Sequence, residues 1–284
     1  MRLEVIDAGF FKLDGGAMFG VVPKSIWEKI NPPDAKNLCT WALRLLYMEV
    51  SGRKILIDTG MGNKQTEKFF NHYEPSGNTL ENSLDRLNIL PEEITDVFLT
   101  HLHFDHCGGA VLLDHGNSLL KFPNAYYWTS LGQWDWATNP NGREKASFLP
   151  ENIFPIQQSG RLKLVSDEGV WISELPNIQI RFFNGHTNQM MIPFIQIGEK
   201  TLVYCADLLP STGHIPLPYI MAYDTRPLIT LREKEKFLIE AAEKNYILFL
   251  EHDPHIECCT VEKTEKGIRC KDTFPLSSIS WHLN

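Results

Sequence analysis

The sequence predicts a mixed α/β fold. Two observations carry that prediction. Short apolar runs of strand length recur along most of the chain, and a few windows instead place apolar residues at helical spacing. With 284 residues, 43% hydrophobic and 22% charged, the composition is globular and the chain is long enough to bury a core. Disorder, collagen and coiled coil are set aside on that ground. No linker, internal repeat or low-complexity segment divides the sequence, so residues 1–284 are read as one domain.

Ten strands are expected, in order, at Leu3–Ala8, Leu43–Val50, Lys54–Ile57, Val97–Thr100, Ala125–Trp128, Leu162–Val165, Ile178–Phe183, Ile192–Ile197, Leu202–Ala206 and Tyr246–Glu251. Gly52 supplies a tight turn between the second and third, and Gly198-Glu199 does the same before Thr201. Helices are expected at Thr79–Leu90, with Thr79 as cap, and at Thr230–Asn245. In the latter, Thr230 and Glu233 form a capping-box pair ahead of an apolar stripe of Phe237, Leu238, Ala241 and Ala242. The Trp-rich stretch Thr129–Ala137 is a third, weaker helical window. Pro23–Leu38 and Pro210–Pro227 read as irregular loops of the kind that border binding sites.

The net charge of −8 and the lack of any Lys/Arg-rich run argue against a nucleic-acid partner. No apolar stretch has the length of a membrane span, and Met1–Asp7 lacks a signal-peptide core. Cys39, Cys107, Cys205, Cys258, Cys259 and Cys270 do not form a disulfide framework, and reduced thiols fit the cytoplasm. The partners expected are a small-molecule substrate and, at most, a second copy in a homodimer.

The chemistry concentrates at His101-Leu102-His103-Phe104-Asp105-His106. At this composition chance would produce that pattern roughly once in two thousand sequences. In an extended segment His101 and His103 point to the same side. Asp105 and His106 follow as the chain turns toward Gly108-Gly109. Neutral imidazole and carboxylate suit borderline divalent ions, zinc above all, with manganese, iron or cobalt also accommodated. Burying such a cluster without a partner would be costly. One short motif cannot fill two coordination spheres, and three further candidates stand at strand ends. These are His186 after Ile178–Phe183, Asp207 after Leu202–Ala206, and His252 after Tyr246–Glu251.

Thr100-His101-Leu102-His103-Phe104-Asp105-His106-Cys107-Gly108-Gly109 resembles the signature of the metallo-β-lactamase superfamily. Leu56-Ile57-Asp58-Thr59-Gly60, Gly185-His186-Thr187, Asp207 and His252 appear in family order. The resemblance spans roughly residues 40 to 255 and implies a four-layer αββα sandwich with the site at one edge of the sheets. It implies that His101, His103 and His186 hold one metal, that Asp105, His106 and His252 hold a second, and that Asp207 bridges both beside a water or hydroxide. It gives Asp58 the role of orienting a histidine ligand. Asp105 is the candidate to pass a proton to a leaving group.

The expected function is therefore a binuclear, zinc-dependent hydrolase of a small ester-like substrate, lactone or organophosphate. The alternatives are a non-catalytic metal-binding member of the fold, or a nuclease or thioesterase. Asp207 stands where secreted β-lactamases of the commonest class carry cysteine. His103 stands where flavodiiron proteins carry glutamate. The short tail after His252 disfavours a glyoxalase II-type thioesterase. The segment Val22–Trp27 with Asn31-Pro32-Pro33-Asp34, and the Glu251-His252-Asp253-Pro254 ending, are most similar to the acyl-homoserine lactonase and organophosphate hydrolase branch. One departure is Pro210, at the position where lactonases place a substrate-contacting tyrosine. His214, Tyr219 or Tyr223 is expected to substitute, with His214 the catalytic-site candidate. Phe19, Trp27, Trp134, Trp136, Ile215, Leu217 and Tyr219 are candidate pocket-lining residues.

Overall fold

Each of the ten expected strands is present in the computed structural model, which describes residues 1–279. Several boundaries shift. The first strand continues to Asp14, and the second begins at Leu38 rather than Leu43. The strands expected to reach Ala206 and Glu251 stop at Tyr204 and Phe249, because the chain leaves the sheet to turn toward Asp207 and His252.

Two sheets carry these strands. The first has six, in the order Arg2–Asp14, Leu38–Val50, Arg53–Ile57, Asp96–Phe98, Tyr126–Ser130 and Leu162–Val165. The second has seven, in the order Gly267–Phe274, Cys258–Thr264, Ile247–Phe249, Lys200–Tyr204, Met190–Ile197, Ile178–Phe183 and Gly169–Val170. Parallel pairs occur in both, such as Ile57 opposite Phe98 and Tyr204 opposite Phe249, so strands with helical crossovers alternate with hairpins. The α/β class follows.

The chain folds as two compact units. One contains Met1–Gly9, Leu43–Glu168 and Gln189–Met191; the other contains Phe10–Ala42, Gly169–Asn188 and the described residues from Ile192 on. In the first unit Leu45, Tyr47, Leu56, Val97, Phe122 and Tyr127 are buried together. Alternate residues of its strands supply this core, as period-two patterning requires. In the second unit Phe194 meets Phe237 and Tyr246 edge-on, and Tyr204 stacks on Phe249 at 5.3 Å.

Two of the expected helices are present with altered bounds, the first ending at Arg86 rather than Leu90 and the second running Leu131–Thr138. Thr79 caps Leu80–Arg86 by accepting from Asn82 N. Ser130 caps Leu131–Thr138 in the same way through Gln133 N. The third begins a turn earlier than expected, at Pro227, and runs to Lys244. Proline at the first helical position needs no N–H and presets φ, so Pro227 starts the helix. Thr230 is thus a buried interior residue rather than a cap. Glu233, freed from the box, accepts instead from the backbone N–H groups of Asn184 (2.8 Å) and Gly185 (2.9 Å).

Several elements lacked a legible period. The helix Pro150–Gln158 carries Pro155 inside it. The hairpins Val111–Asp114 with Asn117–Leu120 and Cys258–Thr264 with Gly267–Phe274 mix buried and exposed, apolar and polar positions without a clean alternation. Among the described residues, no helix is long and apolar enough to cross a membrane.

Candidate metal centre

In the first unit the site begins where two parallel strands end. Asp58 N donates to Phe98 O at 2.8 Å, and Asp58 turns with φ +58°. A non-glycine residue in that left-handed region costs energy, and here it aims a wholly buried carboxylate along the sheet edge. The carboxylate accepts from Thr100 N (2.8 Å) and Thr100 Oγ1 (2.7 Å), and meets His106 Nδ1 at 3.1 Å. Thr100 Oγ1 also lies 3.1 Å from His101 Nδ1. One acid therefore fixes two imidazoles, His106 directly and His101 through the threonine hydroxyl.

His103 takes its orientation from a residue the sequence reading missed. Its Nε2 lies 2.9 Å from Glu144 Oε1. Trp136 Nε1 holds the other oxygen of Glu144, at 2.6 Å, and Asn141 Nδ2 adds a 3.3 Å contact. Glu144 sits in an irregular loop without a motif, so no sequence signal pointed to it. The short helix Phe104–Cys107 then presents Asp105 and His106, whose Oδ2 and Nε2 are 3.8 Å apart. Gly109 lets this turn pack down: a Cβ there would lie 2.1 Å from Thr59 O.

In the second unit His186 is placed by the loop that Glu233 holds. Gly185 is needed because a Cβ would lie 2.1 Å from Thr230 Oγ1. His186 Nδ1 meets Asp224 Oδ1 at 2.9 Å, leaving Nε2 at 3.0 Å from Asp207 Oδ2. His252 Nδ1 donates to Ala42 O at 2.8 Å, and its Nε2 lies 3.2 Å from Asp207 Oδ1. Ala206, with φ +42°, is a second left-handed residue, immediately before Asp207. Burial opposes a charge on His186, yet Asp207 and Asp224 outweigh it and lift its pKa to about 10. The two carboxylates favour a cation at this spot, whether proton or metal.

A common pattern runs through both units. Each of the five histidines has one ring nitrogen within hydrogen-bond reach of an oxygen acceptor, Thr100, Glu144, Asp58, Asp224 or Ala42 respectively. The opposite nitrogens face other donors: His101 Nε2 and His103 Nδ1 are 3.0 Å apart. For a tetrahedral ion with Zn–N of about 2.0–2.1 Å, ligand atoms stand roughly 3.3 Å from one another. The spacings about His103 and Asp207 fit that edge. All seven side chains singled out from the sequence are buried, from His101 and His106 at 0% exposed to Asp105 at 9%. Replacing Glu144 by glutamine, which removes the charge behind His103, is expected to weaken metal affinity about 10–100-fold, as measured by competition with a chromophoric chelator.

His214 is placed differently from its expected role. It is 1% exposed and stacks on Phe19 at 4.8 Å, with Nδ1 2.7 Å from Ser211 Oγ and Nε2 3.0 Å from Met18 O. Both ring nitrogens are engaged within the second unit, so the ring serves to fix its loop. Phe19 and Trp27 stack on one another beneath it and are fully buried, which makes them core rather than pocket lining. Trp136 is committed to Glu144. Pro210 accepts from His252 N at 3.1 Å through its carbonyl.

Burial pushes the His214 pKa down to about 4, against its hydrogen bond to Met18. The neutral ring is satisfied as it stands, accepting from Ser211 and donating to Met18. A folded pKa below the unfolded value means that the unfolded chain binds the extra proton. The resulting stability is complete above about pH 6.5 and is lost as pH falls toward 4, by roughly 3 kcal/mol in all. Urea denaturation between pH 4 and 7 is expected to show this slope in the native chain and a flatter one in His214→Gln.

The fold and these donors define a metal-binding α/β protein. The chain belongs to the metallo-beta-lactamase superfamily, whose model matches residues 46–252. Its structure superposes on a probable metal-dependent hydrolase from Staphylococcus aureus with a TM-score of 0.86, at 26% identity over 98% of both chains. It also superposes on AidC, a dizinc quorum-quenching lactonase, with a TM-score of 0.79, at 23% identity over 96% of this chain and 95% of that one. For hydrolase AbOPH of the beta-lactamase superfamily the TM-score is 0.76, at 18% identity over 95% of each chain. The fold is thus the metallo-β-lactamase fold anticipated from the motifs. No curated protein is detectably similar to the chain in sequence.

Proposed function

We propose that the protein is a binuclear metal-dependent hydrolase of a small ester-like substrate, a lactone or an organophosphate, and that residues 1–284 act as one catalytic domain. The observation that carries this reading is Asp207, whose two oxygens each face the Nε2 of a different histidine, His186 and His252. A carboxylate so flanked suits a ligand shared by two cations. On this reading His101, His103 and His186 hold one ion, Asp105, His106 and His252 the other, and Asp207 both. Zinc is the ion the donor set favours, since neutral imidazole and carboxylate match it. Bound there, the ions would supply Lewis acidity and a water of lowered pKa.

The chain's own residues contribute position and proton handling. Asp58, Glu144 and Asp224 stand behind His106, His103 and His186, so each of these rings is oriented before a metal arrives. Asp105 is the most exposed of the seven ligands and is assigned the proton passed to the leaving oxygen. The hydrolase and lactonases of similar fold support the choice of substrate class. Six cysteines, five of them buried and none in a disulfide, fit a reducing compartment, and we place the protein in the cytoplasm.

The test is elemental analysis of the purified protein followed by a panel of lactones, aryl esters, thioesters and phosphotriesters. About two metal ions per chain, with turnover of a lactone, ester or phosphotriester abolished by chelator and restored by zinc, is the expected result. Metal binding without turnover of any member of the panel would leave a binding protein instead.

A further inference from the structure

A cleft in the second unit lies among the helix Pro227–Lys244, the loop at Ile215–Pro218 and the hairpin Cys258–Phe274. It measures about 420 Å³. That lies within the range of small-molecule sites, roughly 300–1,000 Å³. Leu217, Leu238, Ile239 and Ile268 make its apolar walls. Ile239 remains 44% exposed there although it sits on a helix packed against the sheet. None of the residues proposed as metal ligands lines the cleft.

The rim has the opposite character to the rest of the chain. Lys263, Lys266 and Arg269 stand on it, against a single acid, Glu235, in a protein of net charge −8. Arg269 gives one N–H to the carbonyl of adjacent Ile268, at 2.7 Å. Among the described residues none of the three cations forms an ion pair. Apolar walls beneath a cationic rim complement a molecule with an alkyl body and an anionic end.

We propose that this cleft binds one amphiphilic carboxylate, of the chemistry of a medium-chain fatty acid, with the chain along Leu238, Ile239 and Ile268 and the head group among Lys263, Lys266 and Arg269. Glu235 disfavours a second negative charge and so selects monoanions. The enclosure by three elements suits a single free molecule rather than a bilayer surface. Occupancy ties the loop at Ile215–Pro218 to the terminal hairpin.

Calorimetric titration of the metal-loaded full chain with decanoate, below its micelle concentration, tests the assignment. One site per chain is expected, with 1-decanol and acetate both much weaker, and with binding retained after the metals are chelated. The double substitution Lys263→Glu/Arg269→Glu is expected to lower decanoate affinity at least about tenfold. Ile239→Glu is expected to do the same by placing a charge on the apolar wall. Both changes lie on the surface, and an unaltered melting temperature checks the fold. The proposal is overturned if either variant binds decanoate as the native chain does, or if chelation removes the binding, which would place the carboxylate at the metals. It is equally overturned if only decanoate-free anionic vesicles bind, or if Ile239→Glu instead dissociates a dimer in sedimentation, which would make the cleft a contact between copies.

Discussion

Replacing Asp207 by alanine is expected to abolish hydrolysis and to strip metal from the protein. Its two oxygens face different imidazoles, His186 Nε2 at 3.0 Å and His252 Nε2 at 3.2 Å, so its removal touches both histidines at once. Loss of an orienting residue alone costs about 10–100-fold in metal affinity or activity. If Asp207 is the shared ligand proposed, its loss should exceed that, with kcat/KM down by at least about a thousandfold. On the binuclear proposal, metal content measured on the same sample should fall from two ions toward one or none. Asp207→Asn keeps the shape but not the charge, so it should retain the fold while losing most of the metal. An alanine variant that kept full activity and two ions would remove Asp207 from the centre and with it the binuclear reading.

The second large effect is expected at Lys234, which belongs to no motif. This ammonium is 1% exposed and reaches the carbonyls of His214 (2.8 Å), Pro216 (3.1 Å) and Tyr219 (2.7 Å). It therefore pins the irregular stretch between Asp207 and Asp224, the two acids that flank His186. Lys234→Met keeps the bulk and strands one buried and two part-buried acceptors, at a cost of up to roughly 1–3 kcal/mol each. The melting temperature is expected to drop on the order of 10 °C. Turnover should fall as well, because the loop that sets Asp224 behind His186 loosens. A methionine variant that melts with the native protein would show that solvent reaches these carbonyls.

Legibility followed chemistry. His101, His103, Asp105 and His106 were conspicuous because histidine and aspartate rarely cluster, and because the apolar run Val97–Leu99 leads directly into them. Asp58 was marked by its place after Arg53–Ile57, and the structure sets its carboxylate against His106. The far side of each imidazole was not legible. Glu144, Asp224 and the Ala42 carbonyl lie on segments remote in sequence from the histidines they face, and an isolated acid in a loop looks like any surface acid. His214 shows the converse. A histidine in a loop near candidate ligands suggested a substrate contact, whereas packing against Phe19 and hydrogen bonds to Ser211 and Met18 occupy both of its nitrogens. Thr230 and Glu233 carry a capping-box pattern, but Pro227 starts the helix a turn earlier and leaves the Glu233 carboxylate to hold the backbone before His186.

The sequence by itself determined the α/β class, the strands and the identity of the metal-ligand candidates, since side-chain periodicity and the coordination chemistry of imidazole and carboxylate are properties of short segments. Only the tertiary structure decided how each ring is turned, which acids stand behind them, and that a buried lysine secures the adjoining loop. Those choices depend on which distant backbone and side-chain atoms come within hydrogen-bonding distance once the core has excluded water.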